Sequence, residues 1–159
     1  MGSLADMWCG LLRQNAGGEE GTELCQCILD AHPELVNEGN QFGETLLFIA
    51  AEHGNVEMCR LLIARGADVC VVDNYGDTAL IFAAHNDHCE TCDFLLAHGA
   101  DISCLLLDEN LPISVMYGND GIENVCNRYL SDCVAAFMYS YPELPFDLME
   151  LVASQILKK

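Results

Sequence analysis

The sequence predicts an all-α solenoid made of stacked helix-turn-helix units that are joined by extended fingers. The first observation is a repeat, because residues 43–51, Gly-Glu-Thr-Leu-Leu-Phe-Ile-Ala-Ala, return 33 positions later as residues 76–84, Gly-Asp-Thr-Ala-Leu-Ile-Phe-Ala-Ala. The second is that residues 61–69 return in the same register as residues 94–102. An internal period of this size is typical of stacked units, each too small to bury its own apolar face. We therefore expect an array of stacked units, and the usual role of such arrays is to bind a partner.

Each strong repeat opens with a short helix that follows a threonine. Thr45 and Thr78 precede apolar runs, and their hydroxyls are placed to cap the first free backbone amides of a helix. The first run ends near Gly54, because glycine readily adopts the positive φ angle that terminates a helix. Pairs of alanines at 50–51 and 83–84 let adjacent helices approach closely.

A second helix and a finger complete the unit. Apolar residues recur with helical spacing from Val56 to Ala64, and Gly66 is placed to end this helix. Residues 67–76 then hold β-branched side chains followed by Asp-Asn and a glycine. This composition predicts an extended finger with a tight turn.

These residues resemble the ankyrin repeat. The pattern Gly-x-Thr-x-Leu-x-x-Ala-Ala, followed after the second helix by Gly-Ala-Asp, occurs in both strong copies and covers roughly residues 40–105. The resemblance implies a unit of two helices and a β-finger, which is the unit that the residues predict independently.

Weaker copies flank the two strong ones. In the first weak copy, the opening helix near residues 4–13 lacks the threonine and the alanine pair. In the last weak copy, Leu-Pro-Ile at 111–113 occupies the position of the Thr-Pro-Leu element of the family. Terminal repeats are expected to be atypical, because their outer faces meet water. The predicted domains are an array over residues 1–133, with repeats near 4–38, 39–71, 72–105 and 106–133, and a C-terminal helical cap over 134–159.

The charge restricts the partners. Against 25 acidic residues the chain has 6 basic ones, a net charge of -19, which repels phosphate backbones and anionic membrane surfaces. No apolar run approaches the ~20 residues that span a bilayer. We expect neither nucleic acid nor membrane as a partner. The charge itself has two interpretations, a well-solvated surface or a preference for a basic protein partner.

Ten cysteines suggest a disulfide or metal scaffold until the repeat register is applied to them. Cys59, Cys92 and Cys126 occupy equivalent points of successive second helices, where they are expected in the core. The chain's start shows no secretory signal, so we expect a reduced intracellular compartment, the cytoplasm with the nucleus as the alternative.

One cluster has the composition of a metal site. His85, His88, Cys89 and Cys92 are ligand types that tetrahedral zinc uses. The repeat instead places the cysteines on the inner face of a second helix, so that four ligands would converge only if the stack unpacked. We expect no metal and no cofactor. No nucleophile elbow or phosphate loop occurs either, and we expect no enzyme.

The ankyrin resemblance implies a concave binding face made of fingers and first helices. Phe42 and Tyr75 stand at equivalent finger tips, where they either anchor a partner or pack on their neighbours. The predicted function is a non-catalytic protein interaction module or adaptor, expected as a monomer. The predicted contact residues are Gln41, Phe42, Glu44, Glu52, His53, Asn74, Tyr75, Asp77, His85 and Asn86.

The C-terminal segment allows two interpretations. Residues 144–157 begin with Leu-Pro and continue as an amphipathic helix, which caps the array or is similar to the opening of an F-box. The second resemblance implies that Leu144, Pro145, Leu148 and Ile156 dock on the adaptor of a cullin ubiquitin ligase. The array would then select the ligase substrate.

Overall fold

Six α-helices dominate the computed structural model, which describes residues 3–101 of the chain. Within this range no β-strand forms, and a single antiparallel bridge joins Val72 to Thr78. A short 3₁₀ helix, Pro33–Asn37, follows the second helix. The helices are α1 (Leu4–Asn15), α2 (Gly18–Ala31), α3 (Leu46–Glu52), α4 (Val56–Ala64), α5 (Ala79–His85) and α6 (Cys89–Ala97).

The helices form three stacked pairs in two layers. One layer consists of α1, α3 and α5, with α3 packed against both of the others. The second consists of α2, α4 and α6, with α4 in the middle. This is the predicted all-α solenoid, and the fold class is confirmed. The expected fourth repeat, 106–133, and the expected cap, 134–159, with its F-box-like segment, lie outside the described residues.

Helix α3 is buried over residues 46–51, because it lies between α1, α5 and the second layer. Each residue from 46 to 51 is at most 1% exposed. Phe48 meets Phe82 of α5 edge to face, with ring centroids 5.3 Å apart, an arrangement that aromatic pairs favour. Ala50 and Ala51 are fully buried here, as expected from the close approach of neighbouring helices.

The second helix of the middle repeat spans Val56–Ala64, as predicted. Gly54 and Gly66, with φ angles of 66° and 92°, terminate α3 and α4 in the predicted way. Glycine adopts these angles without the steric penalty of a Cβ atom.

The two threonine caps differ from each other. The Thr78 hydroxyl accepts from the amide of Ile81 at 3.4 Å, as predicted. Thr45 occupies the corresponding position of α3, but its hydroxyl makes no capping hydrogen bond, so this part of the prediction is wrong. The amide of Phe48 donates instead to the carbonyl of Thr45 at 3.1 Å. A tight first turn therefore satisfies the amide that a side-chain cap would hold.

Helix α1 has a cap that the repeat pattern did not reveal. The Ser3 hydroxyl accepts from the amide of Asp6 at 3.1 Å, and the Asp6 carboxylate accepts from the amide of Ser3 at 2.6 Å. This reciprocal capping box satisfies two amides that would otherwise lack partners. The serine stands three residues before the aspartate, and that spacing was the available signal.

Asn55 joins the first repeat to the second. It is buried at the start of α4, where its side-chain oxygen accepts from the amide of Met58 at 2.9 Å. Its amide group donates to the carbonyls of Ala16 and Gly18, both at 2.9 Å, and lies 3.2 Å from the Thr22 hydroxyl. One side chain thus caps its own helix and holds the preceding turn.

None of the helices in the described range is both long and apolar enough to cross a bilayer.

Candidate protein-binding face

Two side chains shape the finger tips: Asp73, which belongs to the Asp-Asn pair that predicted a tight turn, and Asn40, which was not predicted. Asp73 accepts with one carboxylate oxygen from the amides of Tyr75, at 2.8 Å, and Asp77, at 2.9 Å. In the preceding repeat, Asn40 accepts with its side-chain oxygen from the amide of Phe42 at 2.9 Å. Such side-chain bonds to nearby amides fix a tight turn. The two positions are separated by one repeat length, and that register was the available signal.

The aromatic rings at these tips face solvent. Phe42 is 42% exposed and Tyr75 is 76% exposed. Rings that packed fully on their neighbours would be largely covered, and neither residue is. Both turns are fixed by hydrogen bonds, and the rings therefore project from ordered backbone.

Hydrogen bonds join successive fingers. The amide of Asn74 donates to the carbonyl of Phe42 at 2.9 Å, and its side chain donates to the carbonyl of Gln41 at 3.0 Å. One finger edge is therefore held against the next. The structure brings together four of the predicted contact residues as one group, which we call the tip group: Gln41, Phe42, Asn74 and Tyr75.

Glu44 is a predicted contact residue that the structure turns inward. It is 8% exposed, and its carboxylate lies 3.2 Å from the Arg13 guanidinium and accepts from the Asn40 side chain at 2.7 Å. Arg13 also binds the carboxylate of Glu52 at 2.8 Å. Burial and the two contacts of Oε2, with Arg13 and Asn40, do not favour the predicted contact of Glu44 with a partner. The role of Arg13 was not predictable from the repeat pattern, because the first helix departs from it.

The remaining predicted contacts lie at the C-terminal ends of the first helices. Glu52 and His53 are partly buried at the end of α3, and the His53 ring contacts the carbonyl of Ile49 at 2.9 Å. His85 and Asn86 are exposed at the end of α5. A helix of seven residues is about 10 Å long, so these ends lie one helix length from the fingers. The predicted set therefore divides into the tip group and a second group at the helix ends, with partly buried Asp77 beside the tip.

An open groove lies where α3 turns into α4. It has a volume of about 620 Å³, and His53 contributes to its wall. Four carboxylates line it, namely those of Glu19, Glu23, Glu57 and Glu90. None of the finger residues 40–44 and 73–77 reaches it, so it is separate from the tip group.

Positive charge is largely compensated on the described part of the chain. Arg13 lies between two carboxylates, Arg60 lies 3.5 Å from Glu57, and Arg65 lies 2.9 Å from Asp30. These are the only arginines in residues 3–101, which hold no lysine. The field around this part of the molecule is therefore negative.

The cluster with metal-ligand composition is dispersed by the fold. Cys92 is buried and Cys89 half-buried in α6, whereas His85 is exposed at the end of α5. His88 donates from Nε2 to the carbonyl of Glu52 at 3.0 Å. Over residues 3–101, no three His, Cys, Asp or Glu side chains are grouped so that they could hold a metal ion.

The buried cysteines behave as packing residues. Cys59 and Cys92 lie in the core as predicted, together with Cys9 and Cys25, while Cys126 lies outside the described residues. Burial raises the pKa of the Cys25 and Cys59 thiols to about 12 and that of Cys9 to about 11. Because the thiolate is the reactive form, these groups stay inert near neutral pH.

The repeat family is identified by comparison with family models. The family model for ankyrin repeats in three copies matches residues 15–105, more than half of the chain. The matched segment begins at the last residue of α1 and contains α2 to α6 with both finger tips. No curated protein matches the chain at a significant level.

Proposed function

This chain belongs to the ankyrin repeat family, and on that premise we propose that it is a non-catalytic interaction module that binds a partner protein through its concave face. Ankyrin repeats generally mediate protein–protein interaction. The observation that carries the proposal is the pair of exposed aromatic rings, Phe42 and Tyr75, on finger tips that are hydrogen-bonded to each other. Aromatic side chains often supply a disproportionate share of interface energy.

The tips are suited to this role because they are ordered before a partner arrives. Asn40 and Asp73 fix the two turns, and the amide of Asn74 ties one finger to the other. Binding to a pre-organised surface costs less conformational entropy than binding to a flexible one. The two rings therefore contribute contact area with little ordering.

The partner that we propose is a basic protein. The net charge is -19, and each arginine of the described residues lies beside a carboxylate. A basic partner would be attracted from a distance and would bind faster at low salt. The contact residues that we propose keep the tip group, Asp77, Glu52 and the helix-end residues His53, His85 and Asn86, and leave out Glu44.

We further propose an adaptor that acts as a monomer in the cytoplasm or nucleus. The cysteines of the described residues are free thiols, in keeping with a reducing compartment. The ubiquitin-ligase alternative depends on residues 144–157, and no observation on the described residues favours it.

The test is affinity capture from cell lysate under reducing conditions, followed by mass spectrometry. The full chain is compared with a double variant, Phe42→Ala and Tyr75→Ala, and with Cys27→Ala. Cys27 is the control, because it is exposed on α2, in the layer that contributes no first helix to the concave face. The double variant should lose proteins that the wild type and the control retain, at an unchanged melting temperature. Equal retention by all three would overturn the assignment of the binding face.

A further inference from the structure

Two equivalent amides in successive fingers have acceptors of different kinds. Gln41 and Asn74 are separated by one repeat length and hold the same place in their fingers. The amide of Asn74 donates to the backbone carbonyl of Phe42, in the preceding finger, at 2.9 Å. The amide of Gln41 donates to the carboxylate of Asp6 at 2.6 Å. The acceptor for the Asn74 amide is therefore the preceding finger, whereas the acceptor for the Gln41 amide is a side chain of α1.

Asp6 is itself held firmly in the first turn of α1. One of its carboxylate oxygens accepts from the amide of Ser3 at 2.6 Å, and the other accepts from Gln41. The hydrogen bonds from Gln41 and then Ser3 hold the pKa of Asp6 below its ordinary value. The group is therefore ionised at neutral pH, and hydrogen bonds to a charged acceptor are stronger than neutral ones.

The bond to Gln41 acts next to the first aromatic anchor. Phe42 follows Gln41 directly, and its own amide is held by Asn40 at 2.9 Å. The finger thus has a support from α1 in addition to the bonds within its turn and those from Asn74 of the next finger. In the following finger, Asn74 precedes Tyr75 in the same way, and the support comes from the backbone of the preceding finger.

We propose that Asp6 is a positioning residue of the binding face, whose carboxylate replaces a preceding finger and holds the finger that presents Phe42. This inference rests on the proposed function, because it assigns a role in partner binding to a residue that contacts no partner. It predicts that the loss of this carboxylate loosens one tip, leaves the Tyr75 tip in place and weakens binding of the partner.

A purely structural role for Asp6 in capping α1 can be separated from this one. Ser3→Ala removes the hydroxyl that caps the amide of Asp6 but keeps the Ser3 amide and the carboxylate bound to Gln41. Asp6→Ala keeps that hydroxyl cap but removes the carboxylate, which accepts from the Ser3 amide and from the Gln41 amide. The two variants therefore share damage to the helix start and differ in the support of the finger.

Amide hydrogen exchange of the full chain, followed residue by residue by NMR, tests without a partner whether Asp6 holds the finger. In Asp6→Ala the exchange of the Gln41 amide should accelerate at least about tenfold, while that of Asn74 keeps its wild-type rate. In Ser3→Ala the Gln41 amide should stay protected. An unchanged Gln41 rate in Asp6→Ala, or an equal acceleration in Ser3→Ala, would overturn the proposal.

The effect of Asp6 on binding is measured with a protein that the wild-type chain retains and that the double variant, Phe42→Ala and Tyr75→Ala, loses. Asp6→Ala should bind it at least about fivefold more weakly, and Asp6→Asn should recover part of the loss, since its amide oxygen still accepts one bond. Wild-type affinity in Asp6→Ala would overturn the positioning role. If the double variant loses no protein, the proposed function fails, whereas the Gln41 exchange rate still decides whether Asp6 holds the finger.

Discussion

The thiol of Cys70 lies 3.6 Å from the carbonyl oxygen of Gly99 and donates to it. One repeat earlier, the side chain of Asn37 donates to the carbonyl of Gly66 at 3.0 Å. The two donors hold equivalent positions in successive repeats, as do the two acceptors, so a thiol in one junction occupies the place of an amide in the other. A thiol is a weak donor and an amide a strong one, and the second junction therefore has the weaker bond.

Replacing Cys70 with asparagine should strengthen this junction. The new amide group would donate to the Gly99 carbonyl as Asn37 donates to Gly66, and a hydrogen bond of this type contributes about 1 kcal/mol. Thermal unfolding should show a melting temperature a few degrees higher. Cys70→Ala serves as the control and should leave stability unchanged or slightly lower. A Cys70→Asn variant no more stable than Cys70→Ala would show that the two junctions are not equivalent.

Gly54→Ala should destabilise the turn between α3 and α4. Gly54 has a φ angle of 66°, and a Cβ atom built there would lie 2.5 Å from Nδ1 of His88. The ring is held by its bond to the Glu52 carbonyl, so it cannot retreat without losing that bond. We expect a loss of about 2 kcal/mol, from backbone strain and the displaced ring together.

Chemical denaturation measures this loss, and a double-mutant cycle separates the two causes. In a His88→Ala background, Gly54→Ala should cost less than it does in the wild type, because only the backbone strain remains. Equal costs in both backgrounds would show that the contact with the ring contributes nothing.

Arg13→Met should destabilise the fold by about 2 kcal/mol, because it leaves the buried Glu44 carboxylate without its cation. The comparison is Arg65→Met, which removes the pair with Asp30. Asp30 is largely exposed, and surface pairs of this kind contribute at most about 1 kcal/mol. Urea unfolding of both variants gives the two losses. If the Arg65 variant loses as much as the Arg13 variant, the inward orientation of Glu44 has no energetic consequence.

The decrease in the free energy of unfolding at acidic pH should depend on Asp6. Its pKa in the folded chain is lowered from an ordinary value of 3.8, by the hydrogen bonds from Gln41 and Ser3. The folded state therefore binds this proton less readily than the unfolded state. The resulting stabilisation is fully present above the ordinary value and is lost as the pH falls through the lower folded value.

Urea unfolding measured from pH 6 downward checks this dependence. Asp6→Asn should be less stable than the wild type at pH 6, and the difference should shrink below pH 4. A constant difference across the range would contradict the assigned cause, because a group with no change of pKa on folding contributes no pH dependence.

The cysteines should differ in reactivity according to burial. Cys27 and Cys70 are exposed, whereas burial raises the pKa of Cys25 and Cys59 to about 12. In the native protein at pH 7.5, iodoacetamide should modify the exposed pair first, and the buried pair should react only after urea unfolding. Mass spectrometry of timed samples identifies the modified positions. Early modification of Cys59 would contradict its placement in the core.

Local pattern was sufficient for much of the fold. Val56–Ala64 was predicted with its observed bounds, because a glycine on each side and a copy in the next repeat define the same helix. The exposure of Tyr75 also agrees with its predicted place at a finger tip. These features depend on spacing within one repeat, which the sequence displays directly.

Features that depend on contacts between repeats were not predictable in this way. Glu44 holds a position that the ankyrin resemblance assigns to the surface, but the distant Arg13 and the nearby Asn40 bind its carboxylate. Thr45 has the pattern of a cap, yet the amide of Phe48 closes on a backbone carbonyl. The bond from Gln41 to Asp6 joins residues 35 positions apart in a repeat with no pattern to align.

The junction residues also bear on how such a chain grows by duplication. Asn55 reaches back to the carbonyls of Ala16 and Gly18, and His88, at the equivalent position of the next repeat, reaches back to the carbonyl of Glu52. All these acceptors are main-chain oxygens, which every amino acid carries. A copied or transplanted unit therefore meets these acceptors in its new neighbour, provided that the repeat register is kept and that a glycine stands where Gly54 leaves room for the His88 ring. The backbone bonds of a junction thus need no matching side chain next door, in contrast to the pair of Arg13 with Glu44.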